Sequence, residues 1–203
     1  TDRPAGDHRC ALQAHARVPG PPVLAVHRLA FALFVEEHQH VVQHGARDLT
    51  SDLVAHSWAR CLNVHHLDPH MPRRPPVLGA AELSDHHQRM ADVIDCARYE
   101  MTTLYQQLGD AESAVVLTDT DGVILHMVTS PEFERVVQPL GLEVGAVWSE
   151  AEAGTNGMGT CLAAAGPVAV QLDDHFFAQY TSLTCSAVPV HDPAGRMTAG
   201  LDV

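Results

Sequence analysis

Two almost unbroken apolar runs, "AVVLT" from Ala114 and "GVILHMV" from Gly122, face each other across the short segment "DTDG". Strands of this make-up around a tight turn, with Asp121 and Gly122 at its positive-φ positions, predict a β-hairpin. Runs that are apolar at nearly every position cannot turn one side to water, so their sheet must be covered on parts of both faces. One cover lies just upstream. Ser84 is a suitable N-cap, and Met90, Val93, Ile94, Ala97, Met101, Leu104 and Leu108 recur three or four apart, which predicts one helix of about seven turns. Its stripe can lie on the sheet or pair with a second copy of the chain.

Downstream, "SPEFERVVQPLG" predicts a short helix capped by Ser130 with Pro131 at its first position. "TCLAAAG" belongs to another helix and "PVAVQL" reads as a strand. "DDHFFAQY" is a helical turn or irregular loop, and "TCSAVPV" and "MTAGLDV" are strands around the turn "HDPAG". Helix, two strands, helix-rich insert, strand, loop and two strands make an α+β fold with a mainly antiparallel central sheet and flanking helices. Ahead of it, "TSDLVAHSWARCLNV" predicts a helix capped by Thr50 or Ser51, and "HHLDPHMPRRPP" is a proline-rich linker. The expected division is a poorly ordered or weakly helical extension over 1–50, helix and linker over 51–83, and the α+β domain over 84–203.

Charge and composition exclude several functions. The net charge is −13 with His neutral, and the 12 Lys and Arg residues are scattered, so no basic surface exists for direct nucleic-acid binding. The best apolar run, Leu29 to Val35, falls far short of the roughly 18 residues of a membrane helix. Asp2, Asp7 and several prolines stand where a secretory leader needs basic residues, and five cysteines without a CxxC suit a reducing cytoplasm. His40 and His44 would share a helix face with Glu36 or Glu37, and His65, His66 and His70 sit in the linker. With no Cys or further His at zinc-site spacing, these read as solvated histidines, and no metal or other cofactor is expected.

The stretch "WSEAEAGTNGMGT" (Trp148 to Thr160) holds three glycines. A phosphate loop needs bare amides with a Lys nearby, whereas Lys is absent here and two glutamates precede Gly154. The glycines serve geometry instead. Gly154 can adopt a conformation barred to other residues, Thr155 or Asn156 can cap the next helix, and Gly157 and Gly159 let that helix press on its neighbour. Trp148 can close over the space so created. The stretch suits the wall of a small-molecule pocket; a tight turn in the core accounts for the glycines nearly as well.

Seven motifs occur in series: "SWARC", "LDP", "VLTDTDGVIL", "GLEVGAVWSE", "GTNGMGTCL", "DHF" and "TCSAVPVHDPAG". Together they resemble the N-terminal sensory region of bacterial sigma-54-dependent transcriptional activators of the acetoin catabolism regulator type, from about Ser51 to Val203. The resemblance implies a GAF-type sensor domain that binds a small metabolite beside its sheet and controls a following ATPase module and a DNA-binding helix-turn-helix. Two details depart from it. The linker lacks the glycine often found before Leu67, and "DHF" stands where Glu-His-Phe is common. This stretch contains neither a Walker motif nor DNA-binding helices.

The residues expected to touch a ligand are Trp148, Glu150, Thr155, Asn156, His175 and Phe176, in a mostly apolar pocket. Each also has a plainly structural reading: Trp148 as core, Thr155 and Asn156 as caps, His175 as a loop tie. The expected partners are a small organic effector (an acetoin-like ketone, an alcohol or an aromatic) and a second copy of the chain. No catalytic residue is expected. Competing readings are a ligand-free dimerisation module built on the long helix, a haem or metal sensor, and a thiol enzyme of the methionine sulfoxide reductase type using Cys185. The last lacks a Cys–His pair at local spacing.

Overall fold

The computed structural model of the chain describes residues 47–109 and 112–203. The expectations for the extension up to residue 46, including the Glu36, Glu37, His40 and His44 pattern, fall on residues outside these. Helix α1 (Arg47–Asn63) starts ahead of the predicted caps, so Thr50 and Ser51 lie inside it. A cap-suited side chain is tolerated within a helix when helix formers such as Arg47 continue the turn upstream.

The predicted seven-turn helix is two. Helix α2 (Ala80–Arg89) and helix α3 (Ala91–Leu108) meet at Met90, whose φ of −104° and ψ of 10° leave the helical region. Ser84 is not the cap; it lies exposed inside α2, and the N-cap is Gly79, whose N–H donates to the Glu82 carboxylate at 3.2 Å. Periodicity was blind to this break because the stripe stays in phase across it. Tethers on the hairpin account for the bend: His87 Nε2 meets the Leu125 carbonyl oxygen at 3.0 Å, and His86 Nδ1 meets Asp119 Oδ2 at 2.5 Å.

The hairpin is strands β1 (Ala114–Asp119) and β2 (Ile124–Thr129), antiparallel from Ala114 opposite Thr129. Of its turn residues only Gly122 has a positive φ, 81°. Asp121 avoids it because Asp119 Oδ1 accepts the N–H groups of both Asp121 and Val123, fixing the turn by side chain. Helix α4 (Pro131–Val137) starts as expected, with the Ser130 hydroxyl accepting the Phe133 N–H. Helices α5 (Glu150–Ala153) and α6 (Gly157–Ala164) lead to strand β3 (Val168–Gln171), and strands β4 (Thr184–His191) and β5 (Met197–Asp202) follow.

The five strands form one antiparallel sheet in the order β2-β1-β5-β4-β3. Period-2 alternation sorts the side chains onto two buried faces, as the apolar runs require. Val115, Leu117, Leu125, Ala199 and Leu201 pack with Ile94, Met101 and Leu104 of α3. Ala114, Val116 and Ile124 point the other way, into a second core with Trp148, Met158, Phe176, Phe177 and Tyr180. The candidate site lies on this second side.

Candidate functional site

The glycine-rich stretch brings backbone against backbone. Gly154 takes φ +68°, and a Cβ there would stand 2.6 Å from Phe176 Cβ. Asn156 caps α6: its Oδ1 accepts the Gly159 N–H at 2.9 Å, while Nδ2 donates to the carbonyl oxygens of Trp148 and Gly154. A Cβ on Gly159 would meet the Trp148 carbonyl oxygen and Glu150 N at 2.7 Å, and one on Gly157 would meet Cys185 Cβ at 2.5 Å and the Asp202 carboxylate at 2.8 Å. The space each glycine frees is thus filled by a neighbour. The hollow lies next to this knot rather than within it.

Four of the six expected ligand contacts are tied up structurally. Glu150, with only 3% of its side chain exposed, takes two hydrogen bonds of 2.7 Å from Arg60 Nε and Nη2 of α1. Buried Thr155 accepts from Ser57 Oγ at 2.8 Å, and Ser57 also bonds Thr160 at 3.0 Å. Asn156 is committed to its cap. His175 is buried, with Nδ1 3.1 Å from the Leu172 carbonyl oxygen and Nε2 3.6 Å from Cys185 Sγ. Burial pushes its pKa down against the raising effects of that carbonyl and of Asp174, so the imidazole is neutral. Phe176 stacks against Trp58, whose Nε1 donates to the Asp174 carbonyl oxygen. The motif "SWARC" is therefore a clamp by which α1 grips the stretch from Glu150 to Phe176.

Because Arg60 faces a nearly buried carboxylate, Arg60→Ala is expected to destabilise the domain by about 2 kcal/mol. Breaking a buried pair costs roughly 3–5 kcal/mol, less here because a third of the Arg60 side chain is exposed. Adding Glu150→Gln should restore part of the loss by removing the stranded charge. Urea unfolding of the single and double variants checks it: strictly additive losses would mean the pair carries no coupling.

A cavity of about 490 Å³ opens beside these residues, on the α6 side of the sheet. Of the six expected residues only Trp148 lines it; its Nε1 donates to the Gly141 carbonyl oxygen at 2.8 Å, which holds the indole as a fixed wall. Phe133, Leu142, Met158 and Val116 supply further apolar lining, and Thr184, Ser186, Cys185 and Asp202 supply the polar part. Sequence reasoning missed Asp202. The available signal was its parity: in "MTAGLDV" it sits two residues after Gly200, on the inward-facing alternation of an otherwise apolar strand.

Asp202 is only 3% exposed. Burial raises its carboxyl pKa to about 7, against the lowering effects of the Val203 N–H, the Cys185 thiol and the Ser186 N–H. Its Oδ1 accepts the Val203 N–H at 2.9 Å. The structure also corrects the sequence on Cys185, since the Cys–His pair missing from local spacing exists in space, with His175. The pair is nonetheless unactivated. Burial and the neighbouring Asp202 both push the Cys185 thiol up, and a neutral imidazole offers no cation to hold a thiolate. The carboxyl stands beside the sulfur rather than behind the imidazole, the reverse of a Cys–His–Asp relay.

Two other polar features are accounted for locally. His86, Asp119 and Asp121 bring potential metal ligands within 4.8 Å of one another, yet both Asp119 oxygens already serve the α2 tether and the hairpin turn. Tyr180 is buried against Trp148, and among the described residues its hydroxyl has no hydrogen-bond partner. The nearby Gln179 amide, which lowers the phenol's pKa against the effect of burial, donates to the Arg73 carbonyl oxygen.

The fold and this geometry can be set against known proteins. The model of the MimR N-terminal domain family matches residues 39–202. The chain belongs to that family. The acetoin catabolism regulatory protein of Cupriavidus necator is 34% identical over 151 residues, covering 74% of this chain and 23% of the relative. The acetoin dehydrogenase operon transcriptional activator AcoR of Bacillus subtilis is 29% identical over 150 residues, covering 74% of this chain and 25% of its own length. The propane 2-monooxygenase operon transcriptional activator MimR of Mycolicibacterium smegmatis is 35% identical over 97 residues, covering 47% and 17%. The chain thus spans about a quarter or less of the length of these regulators.

Among solved structures, the crystal structure of the E. coli DhaR(N)-DhaL complex contains a chain similar at a TM-score of 0.69 and 20% identity, covering 74% of this chain and 50% of that one. This agrees with the α+β architecture expected from the order of elements in the sequence. The resemblance to N-terminal regions of acetoin-type regulators holds, and members of the MimR N-terminal domain family occur in transcriptional activators. Among the described residues no helix is long and apolar enough to cross a membrane.

Proposed function

We propose that this domain is the small-molecule sensor of a bacterial sigma-54-dependent transcriptional activator and has no enzymatic activity of its own. The observation that carries the reading is the cavity of about 490 Å³, which falls within the range of small-molecule sites and lies in a family found at the N-termini of activators. Its effector is a small uncharged organic molecule, an acetoin-like ketone, an alcohol or an aromatic. The names of the acetoin regulators support the first of these. The protein acts in the cytoplasm as a homodimer, paired through α3, whose Tyr99 is 70% exposed on the side away from the sheet. An ATPase module and a DNA-binding module act with it in the full-length activator. Ligand binding changes output only by favouring one arrangement of the domain over another.

The experiment is a thermal-shift screen of the chain against acetoin, butanone, butan-2-ol and benzyl alcohol. A true effector at a hundredfold excess over Kd adds about 2.7 kcal/mol, which raises Tm by roughly 5–10 °C for a domain of this size. A flat response to every compound would leave a ligand-free dimerisation module in place of the sensor.

A further inference from the structure

A ligand inside a largely apolar hollow needs at least one polar group to recognise it. Five of the six residues expected from sequence do not line the cavity, and the sixth, Trp148, has its only donor committed to Gly141. The polar lining comes from the strands and their flanks instead. Two carboxylates line the cavity, Glu112 and Asp202; Glu112 is exposed, and Asp202 is buried. Among the described residues neither Lys, Arg nor His lines the cavity.

Asp202 is placed by three features of the sequence acting together. Its parity on β5 turns it to the α6 side, and pairing with Val116 of β1 and Ala187 of β4 puts it in the interior of the sheet. Gly157 lets the first turn of α6 descend onto it, since any side chain there would collide with its carboxylate. A carboxyl held in this way between strand and helix has little freedom to swing out to water, and the cavity is the open side left to it.

We propose that Asp202 is the polar anchor of the cavity, its carboxyl hydrogen-bonding the carbonyl or hydroxyl oxygen of an uncharged effector whose carbon skeleton rests on Trp148, Met158 and Phe133. The proposal rests on the sensor reading and names the chemistry of the same site. Burial favours the neutral acid, which is a donor, and the titration that follows lies near pH 7. The groups facing Asp202 do not offset this. Cys185 of β4 and Cys161 of α6 are both neutral thiols pushed up by burial, His175 beyond Cys185 is neutral, α6 contributes the side-chain-free Gly157, and β1 contributes Val116. Glu112 at the mouth adds negative potential. An anionic ligand is therefore repelled, and an amine would require the ionised carboxylate that burial disfavours.

If the neutral acid donates to the ligand, affinity is full below pH 7 and falls by up to tenfold for each pH unit above it. The test is calorimetric titration of the full 203-residue chain with acetoin, lactate and 1-amino-2-propanol at pH 6 and pH 8.5. For wild type we expect acetoin to bind at least tenfold more weakly at pH 8.5 than at pH 6, and neither charged analogue to bind more tightly than acetoin. Asp202→Asn keeps a donor of the same shape, so it should bind within about threefold of the wild-type pH 6 affinity at both pH values. Asp202→Leu should lose about tenfold at pH 6. As a readout independent of variant folding, the carboxyl carbon resonance of Asp202 in labelled wild type should move on adding acetoin.

Acetoin binding that is indifferent to pH and to Asp202→Leu, with an unmoved carboxyl resonance, would overturn the anchor and leave the sensor reading standing. Tighter binding of the amine, rising with pH, would also overturn it. No binding by acetoin, butanone, butan-2-ol or benzyl alcohol to wild type would remove the sensor reading and the anchor with it.

Discussion

Gly157→Val should lower stability by about 3 kcal/mol or more, at the upper end of what overpacking a closed site costs. Gly157 is the first residue of α6, a position where exchange of glycine for another residue normally favours the helix by up to about 1 kcal/mol. Here the sign reverses, because a Cβ would lie 2.5 Å from Cys185 Cβ, an atom fixed directly to the backbone of β4. It would lie 2.8 and 2.9 Å from the Asp202 oxygens as well. Cys185 Cβ cannot swing aside as a side-chain end could, so α6 must lift. Lifting it strains the Asn156 cap, which joins the helix to Trp148 and Gly154. At roughly 2–4 °C of Tm per kcal/mol for a domain of this size, the melt should fall by about 6–12 °C. Gly166→Ala is the control, since its Cβ would meet nothing closer than 3.8 Å. Equal melting of Gly157→Val and wild type would mean that α6 is not clamped to the sheet.

The architecture was legible to the extent that it follows from alternation and turn chemistry. The apolar arms at Ala114 and Gly122 required a sheet covered on both faces, and Ser130 and Asn156 marked helix starts where the caps form. The bend at Met90 was not legible, because it depends on His86 and His87 reaching Asp119 and Leu125, partners more than thirty residues away. The site was legible in a different sense. Glu150, Thr155 and Asn156 were expected to touch a ligand, and the structure instead ties them to Arg60, to Ser57 and to the cap of α6, clamping α1 to the glycine-rich turns. Whether a side chain faces a hollow or a neighbour is set by packing among five elements, which spacing along the chain does not encode. Asp202 shows the converse. It stands in no polar pattern; its inward parity on β5 was the one signal in the sequence, and its placement under Gly157 shows in the fold alone.

Asp202→Asn should make the domain more stable above neutral pH and flatten its dependence on pH. In the unfolded chain the carboxyl ionises near the usual aspartate value of about 3.9, whereas in the folded domain burial holds it to about 7. Below pH 4 both states are protonated and the group contributes no difference. Between pH 4 and 7 the unfolded state releases the proton while the folded state keeps it, so stability falls as pH rises, by about 1.4 kcal/mol per pH unit. Above pH 7 both states are ionised and the penalty levels off, at about 4 kcal/mol for a difference of roughly three pH units. This is the reverse of an aspartate in a salt bridge, which stabilises a protein above its own pKa. Asparagine preserves shape and can still accept the Val203 N–H, but carries no charge to bury. Urea unfolding at pH 5, 6.5 and 8 would reveal it, with the gap between wild type and variant widening up to about pH 7 and constant above it. Parallel curves would mean that Asp202 is solvated, and a solvated carboxyl would not discriminate against charged ligands. A protein that keeps a costly buried acid in its final strand, at the edge of a hollow, retains it against a stability gradient that asparagine would remove, and a bound oxygen atom would offset that cost.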